Sequence, residues 1–346
     1  MIMAFQLTIL PIIVQPKEDE LFSSWLFRLA TANVSKAYTF TRFHLPAYSI
    51  WNRDIDRLAA DTMIERLSLL TEIPFRKIFE LTLRSYEQKI FQEANQATKQ
   101  KWILALGVYH RSWKHNGLQF CPGCLSKDEQ PYFRKSWRLA LSVVCTKCQL
   151  LLHDCCPNCN SPATFFRTDI GFKFSIAPVN IAVCPKCNFD LRNSPRYPPM
   201  IGTIGFQSKL NRIISTNSWQ GHRAVDYFDT LYQVIKMIKS DRKFYRKFRA
   251  LIFECEKMRI QAIPTVRDLE TTSTFDREHL IRIGCWLLEN WPARFVSLCK
   301  ETKLSSYAVV KDGARLPTWF LEEVKHNIHQ PSASELSILR ARSRNS

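Results

Sequence analysis

The spacing of apolar residues along the chain predicts a mostly helical protein. Apolar side chains recur every three or four residues over 19–33, which indicates an amphipathic helix behind an acidic start. The same period returns after residue 206. There it predicts helices over 224–239, 241–257, 276–290, 292–302 and 317–328. We therefore expect a helical region at each end of the chain.

Two further helical patterns lie close together in the N-terminal region. They cover residues 61–70 and 75–83, and Pro74 occupies the break between them. Proline is favoured at the first position of a helix, and two short helices across a tight break have the outline of a helix-turn-helix. A plain helical hairpin, or a helix pair that docks on another protein, fits the same spacing. Residues 88–101 are polar and are predicted to form a helical connector.

Proline and glycine positions suggest where the domains end. The segment 193–205 holds three prolines and two glycines, a composition typical of a linker. We predict an N-terminal helical domain over 1–110, a tandem zinc-ribbon domain over 111–200 and a C-terminal helical domain over 201–330. Residues 331–346 are expected to form a disordered basic tail.

Four C-x-x-C pairs stand in the middle of the chain. They are Cys121/Cys124, Cys145/Cys148, Cys156/Cys159 and Cys184/Cys187. One such turn points two thiolates at one ion, and two turns complete the tetrahedral set that Zn²⁺ prefers. The spacing predicts two Cys-four zinc ribbons with small β-hairpins, over 121–148 and 156–187. Because thiolates fill every ligand position, the two Zn²⁺ ions are expected to be structural. An iron–sulfur centre is the alternative that these ligands allow.

Five other residues are candidates for further ligands or for the core. His153 and Cys155 lie beside the second ribbon and either could replace one of its ligands, but neither has a partner at the x-x spacing. We leave both out of the ligand set. Cys255, Cys285 and Cys299 fall in helical segments, where a free cysteine is usually a small buried apolar residue.

Composition and charge narrow the function further. Only 9 of 346 residues are glycine, and no spacing among them makes a dinucleotide-binding or P-loop motif. The chain has 49 Lys and Arg against 31 Asp and Glu, a net charge of +18 that favours a polyanionic partner. Residues 1–110 hold 13 basic and 11 acidic residues, so the excess lies further along the chain. No apolar run is long enough to span a membrane, and we expect a cytoplasmic protein.

Two basic segments are candidate nucleic-acid contacts. Residues 239–249 project as one helix with a cationic stripe, from which we predict sequence-independent phosphate contacts by Arg242, Lys243, Arg246 and Lys247. An ordinary solvated face is the alternative. Arg134 and Arg138 lie among aromatic residues of the first ribbon and are predicted to contact nucleic acid or a protein partner. Core packing is the alternative there, and we favour it for Trp137.

Several segments match a known family in order and separation. They are 16–30 (PKEDELFSSWLFRLA), 81–84 (LTLR), 121–125 (CPGCL), 132–139, 144–145 and 151–159, with a looser match over 285–295. In these segments the chain resembles the TniQ family of transposon target-selection proteins. The family usually has C-x-x-H where this chain has Cys145 and Cys148, a change that keeps a zinc ligand in place.

The resemblance implies a helix-turn-helix domain, tandem zinc fingers and a helical C-terminal domain without catalytic activity. Family members join a target-recognition element to the transposition machinery, chiefly the AAA+ ATPase TnsC. Longer TnsD-type members bind attachment-site DNA. Shorter ones in CRISPR-associated transposons bind, often as dimers, to the RNA-guided Cascade complex with its guide RNA and target DNA. The short C-terminal region here favours the second type. The competing class is a sequence-specific DNA-binding transcriptional regulator.

Overall fold

The computed structural model describes residues 9–94, 99–109, 112–113, 116–167, 180–255, 268–311, 313, 315–334 and 336. The chain divides into two compact units. The first contains residues 1–87 and 93–199, and the second contains 88–92 and 200–346. In the described residues, helices predominate and the strands form small antiparallel hairpins, which confirms the predicted fold class. The division into three domains and a tail stays a prediction, and residues 337–346 of that tail lie outside the described residues.

The helical part of the first unit begins with the predicted amphipathic helix. Its helices are α1 (Phe22–Ala32), α2 (Ala37–His44), α3 (Ile55–Leu58), α4 (Asp61–Thr71) and α5 (Phe75–Phe79). Trp25, Leu26 and Leu29 of α1 are completely buried. The helix begins three residues later than predicted, because Asp19 has a left-handed backbone and Glu20 forms a β-bridge with Arg134.

The helix pair α4–α5 is shorter than its sequence pattern suggested. Helix α4 ends where Glu72 turns left-handed, and α5 has five residues, about 7.5 Å of helix. A 3₁₀ turn, Leu83–Tyr86, follows instead of a continuous helix. The second helix is too short to establish a helix-turn-helix, so this motif stays a prediction. The predicted connector helix over 88–101 is wrong for its described residues, 88–94 and 99–101, because none of them is helical.

Residues 99–199 form the cysteine-rich part of the first unit. Among its described residues are one α-helix and several short strands. They are β1 (Val108–Tyr109), β2 (Ser112–Trp113), α6 (Pro122–Lys127), β3 (Val144–Cys145) and β4 (Leu150–Leu151). The loop before β3 pairs with the start of α1. Leu21 N donates to Phe133 O at 2.9 Å, and Phe133 N donates to Ser24 Oγ at 3.0 Å. The loop thereby bonds the first residues of α1, whose N-cap residue, Leu21, has no side chain that could cap the helix.

A buried ion network ties this loop to the helices. The Arg138 side chain has no solvent exposure; it bonds both oxygens of Asp54, at 3.0 and 2.7 Å, and Asp56 Oδ2 at 3.0 Å. Asp56 also accepts bonds from the Ser23 backbone N and Oγ, at 2.7 and 3.0 Å. Arg138 Nη2 donates to Leu104 O at 3.1 Å. One guanidinium therefore joins α1, α3 and the cysteine-rich part.

The second unit is a helical bundle with one hairpin in its described residues. Its elements are α7 (Thr203–Thr216), β5 (Ser218–Trp219), β6 (His222–Arg223), α8 (Ala224–Lys239), α9 (Arg246–Cys255), α10 (Thr274–Glu289), α11 (Ala293–Glu301), α12 (Ser306–Val310) and α13 (Thr318–Asn327). Helices α8 and α10 pack closely at Gly284, where a Cβ atom would stand 2.7 Å from Leu231 Cδ1. Four predicted helices are confirmed within two residues at each end. The fifth, 241–257, begins late, at Arg246.

Within the described part of the chain, no helix combines the length and apolarity that a membrane crossing needs.

The buried network predicts a large cost for removing its cation. Arg138→Met should lower the free energy of unfolding by about 3–5 kcal/mol, because it leaves the buried Asp56 carboxylate without its counter-ion and leaves Asp54 only the longer contact with Arg57 Nε, at 3.9 Å. Burial raises the pKa of Asp56 to about 6, so this carboxyl takes up a proton at lower pH. The loss should therefore be smaller near pH 5 than near pH 8. Denaturant unfolding of the original chain and of the variant at both pH values measures this loss of unfolding free energy.

Arg192→Met is the matched control for that experiment. Arg192 Nη2 lies 2.5 Å from Asp190 Oδ2, but the Arg192 side chain is 39% exposed. A surface pair of this kind is worth about 0–1 kcal/mol. Equal losses for the two variants would contradict the role assigned to the buried network.

Candidate metal centres

The eight paired cysteines form two groups of four. The first group is Cys121, Cys124, Cys145 and Cys148; the second is Cys156, Cys159, Cys184 and Cys187. In each group the sulfur atoms all lie within 4.8 Å of one another. Each predicted ribbon therefore brings its own four thiols together, and each group could hold one metal ion.

The sulfur spacing fits a tetrahedral ion. Cys124 Sγ lies 3.5 Å from Cys145 Sγ and 3.7 Å from Cys148 Sγ. In the second group, Cys156 and Cys187 are 3.6 Å apart, and Cys159 and Cys184 are 3.7 Å apart. Zn–S bonds of about 2.3 Å in a tetrahedron separate the sulfurs by about 3.8 Å. The donor set and its spacing suit zinc, and zinc as the resident metal stays a prediction.

Three of the four C-x-x-C turns share one backbone geometry. In each, the residue after the second cysteine has a positive φ and donates its N–H to the carbonyl of the first cysteine. These bonds are Gln149 to Cys145 at 2.7 Å, Asn160 to Cys156 at 2.8 Å and Asn188 to Cys184 at 3.0 Å. Asparagine adopts this left-handed conformation more readily than most residues. In the fourth turn the chain continues as a helix, and Leu125 N bonds Cys121 O at 3.0 Å.

The first group is built from a helix start and a hairpin. Cys121 is the N-cap of α6, and Pro122 takes the first helical position, where no donor is lost. Strands β3 and β4 pair Cys145 with Leu150 across the hairpin. Gly123 lies against the facing turn, and a Cβ atom there would stand 2.8 Å from Cys148 Sγ. The start of α6 and the β3–β4 hairpin therefore approach so closely that only glycine fits at position 123.

The second group has less regular structure. Its described residues show a single β-bridge, between Val183 and Asp190, in place of the predicted hairpin. Cys184 N also donates to Phe189 O at 2.9 Å. Residues 168–179, between the two cysteine pairs, lie outside the described residues. A hydrogen bond with Asn158 lowers the pKa of Cys187 to about 6, whereas burial raises the pKa of Cys156 to about 12 and also raises that of Cys184.

The residues left out of the ligand set lie outside both groups. His153 Nε2 is 2.7 Å from Pro195 O, and its ring stacks on Phe120. Burial lowers the pKa of His153, so the imidazole is neutral. Cys155 is half-buried, whereas Cys285 and Cys299 are buried as expected. The Cys255 side chain is outside the described part of the chain.

The structure changes the interpretation of the first-ribbon arginines. The prediction that Arg138 contacts nucleic acid is wrong, because its side chain is fully buried and paired with two aspartates. Arg134 holds both oxygens of Asp128 at 2.6 Å and lies 3.9 Å from the Tyr132 ring centroid. Its contact with nucleic acid stays a prediction. Trp137 is buried, as the core interpretation expected.

The second basic segment is not one helix. Helix α8 ends at Lys239, Arg242 has an extended backbone, and a 3₁₀ turn, Lys243–Tyr245, precedes α9. The projection of 239–249 onto a single helical stripe is therefore wrong. Lys243, Arg246 and Lys247 are nevertheless exposed, and Arg242 is half-buried beside Phe244. Their nucleic-acid contact stays a prediction.

A family model described as TniQ matches residues 11–152. This chain carries a TniQ domain. The match begins ahead of α1, includes the first cysteine group and ends just beyond β4. A search of curated proteins returned no match. The TniQ domain associates the chain with target selection in transposition.

The TniQ domain contains a second buried acid that sequence reasoning did not single out. Glu20 has no exposure; its carboxylate pairs with Arg28 at 2.7 Å and accepts bonds from Lys17 N and Ser24 Oγ, at 2.9 and 3.2 Å. Burial raises the pKa of Glu20. The available signal was the spacing of Ser24 and Arg28, which are four residues apart on one face of α1 and contact the acid that precedes the helix.

The close approach at Gly123 generates a test of the first metal centre. Gly123→Ala should weaken metal binding there about 10- to 100-fold, the usual effect of disturbing the groups that support metal ligands. Competition with a chromogenic chelator would measure the release of each ion, and elemental analysis would count them.

Gly205→Ala is the matched control, because a Cβ atom at that position of α7 meets nothing within 4 Å. It should leave both metal affinities unchanged. Equal metal release from the two variants would contradict the close contact of Gly123 with a ligand of the first ion.

Proposed function

We propose that this chain is a non-enzymatic adaptor that selects the target site in DNA transposition. The TniQ match over residues 11–152 is the observation that carries the proposal. The adaptor would join a target-recognition element to the AAA+ ATPase TnsC, and it would act as a homodimer. The recognition element we favour is an RNA-guided Cascade complex with its guide RNA and target DNA. Attachment-site DNA is the other candidate.

The way the TniQ domain is held together supports a docking role. Backbone bonds between Leu21 and Phe133, and the ion network at Arg138, fix α1 against the cysteine-rich part. The two proposed Zn²⁺ ions would fix the turns of that part, since a structural zinc site stabilises a fold directly. Such a domain offers a rigid surface to a protein partner without supplying reactive groups.

The charge distribution supports nucleic-acid contact by the second unit. Lys243, Arg246 and Lys247 are exposed, and the ion pairs among the described residues include none of them. Cations of this kind bind phosphates without reading sequence. In the proposed adaptor they would help to hold guide RNA or target DNA, while the partner complex reads the sequence.

The partner claim predicts a specific association. The full chain with its metal ions should co-purify with TnsC and with Cascade subunits encoded beside it. The Arg138→Met variant should lose this association if it disturbs the TniQ domain, whereas the Arg192→Met control should retain it. Strong binding to random DNA without association with either partner would favour a DNA-binding transcriptional regulator instead.

The phosphate claim predicts a change in salt dependence. Replacing Arg242, Lys243, Arg246 and Lys247 with Glu should weaken nucleic-acid binding and reduce the slope of log K against log salt by up to about one unit per lost contact. The control carries the same charge change at exposed Arg53, Arg76, Arg212 and Lys325. The idea is wrong if both variants keep the original affinity and slope.

A further inference from the structure

A partly exposed aromatic ring stands among the cations of the second unit. Phe244 lies in the 3₁₀ turn before α9, and it is half-buried, whereas Phe248 one turn later is fully buried. The Arg242 guanidinium carbon is 6.0 Å from the Phe244 ring centroid, and Lys311 Nζ is 5.7 Å from it. Both cations are near the outer limit of about 6 Å for attraction by a ring. Both cations lie over the ring but too far from its centroid to pack closely on it, and the Tyr245 ring makes a T-shaped contact with it at a centroid distance of 4.4 Å.

A second ring belongs to the same cluster. Lys311 Nζ also lies 5.7 Å from the ring centroid of Tyr307 on α12. Because the same atom is 5.7 Å from the Phe244 centroid, the centroids of Phe244 and Tyr307 are at most twice 5.7 Å apart. Tyr307 is half-buried as well. Two partly exposed rings therefore share one lysine between them, and the exposed cations Lys243, Arg246 and Lys247 belong to the adjoining turn and helix start.

Buried hydrogen bonds fix the backbone that carries the two rings. Tyr245 is buried, and its hydroxyl donates to Ala308 O at 2.7 Å, which joins the 3₁₀ turn to α12. Gln233 Nε2 donates to Val309 O at 2.8 Å and to Lys311 O at 3.0 Å. The backbone on either side of the two rings is therefore fixed by the folded core of the second unit, which lowers the cost of ordering it when a ligand binds.

We propose that Phe244 and Tyr307 form a stacking platform for unpaired bases of a single-stranded nucleic acid. Lys243, Arg246, Lys247 and Lys311 would bind its phosphates. A ring face accepts only a base whose own face is free, and the bases of a duplex already stack on one another. The platform therefore selects single strands over duplexes and tolerates any base. This inference rests on the phosphate contact proposed above. It specifies that the nucleic acid bound there is single-stranded.

The test compares one sequence in two forms. Fluorescence anisotropy would measure binding of the full, metal-loaded chain to a labelled single-stranded oligonucleotide and to the duplex of the same sequence. The single strand should bind more tightly. Phe244→Ala should lower single-strand affinity roughly 5- to 150-fold, the effect of losing one stacked base, and leave duplex affinity unchanged. An oligonucleotide containing 5-iodouracil should cross-link to Phe244 or Tyr307.

Two further variants keep the result interpretable. Phe244→Leu keeps most of the apolar volume but lacks the ring face, so it should lose the single-strand preference even if Phe244→Ala melts at a lower temperature. Phe43→Leu removes a 65% exposed ring of the first unit and should change nothing.

The outcomes separate the two proposals. If Phe244→Leu binds the single strand as tightly as the original chain, no base stacks on this ring. If duplex and single strand bind equally, and the four-glutamate variant loses both, the phosphate contact stands and the platform is refuted. If neither form binds, both proposals fail.

Discussion

The ion network at Arg138 is the interaction on which the first unit depends most. Its guanidinium is fully buried and forms ion pairs with Asp54 and Asp56. Asp56 also accepts a hydrogen bond from the Ser23 backbone N at the start of α1. A buried cation costs several kcal/mol of desolvation unless paired carboxylates offset that cost. The helical part and the cysteine-rich part must therefore be in register for either to be stable. We infer that this requirement contributes specificity to the TniQ domain rather than a large net stability.

The first cysteine group is connected to the same ion network by the covalent chain. Arg138 and Phe133 lie on the loop between Cys124 and Cys145, so an ion in the first group closes this loop. A structural zinc site contributes about 10–16 kcal/mol of apparent folding free energy in small peptides. Closing the loop restricts the positions that Arg138 can occupy before it pairs with Asp54 and Asp56. Metal binding and domain packing are then two parts of one folding event.

The two four-cysteine groups were predictable from sequence because each is made of local pairs. A C-x-x-C turn needs only its own four or five residues, and Asn160 and Asn188 even mark the left-handed position after the second cysteine. The role of Arg138 was not predictable in this way, because its carboxylate partners lie more than 80 residues earlier in the chain. The mostly apolar segment that follows it, 139–144, was the local sign that this arginine enters the core. The predicted helix bounds place a break at residue 240, but the 3₁₀ turn Lys243–Tyr245 was not predicted, because the spacing of apolar residues over 244–252 is the same as that of a continuous helix.

Burial also separates the basic residues by role. In the first unit, Arg134 and Arg138 are occupied by aspartates that belong to the same domain. In the second unit, Lys243, Arg246 and Lys247 extend into solvent beside Phe244. Only cations of the second kind can displace the counter-ions of a phosphate backbone, because a buried arginine that is paired with aspartate cannot reach a phosphate. Net charge alone cannot make this distinction. The aspartate partners of the first-unit arginines therefore shift the expected nucleic-acid contact away from the TniQ domain and onto the helical unit.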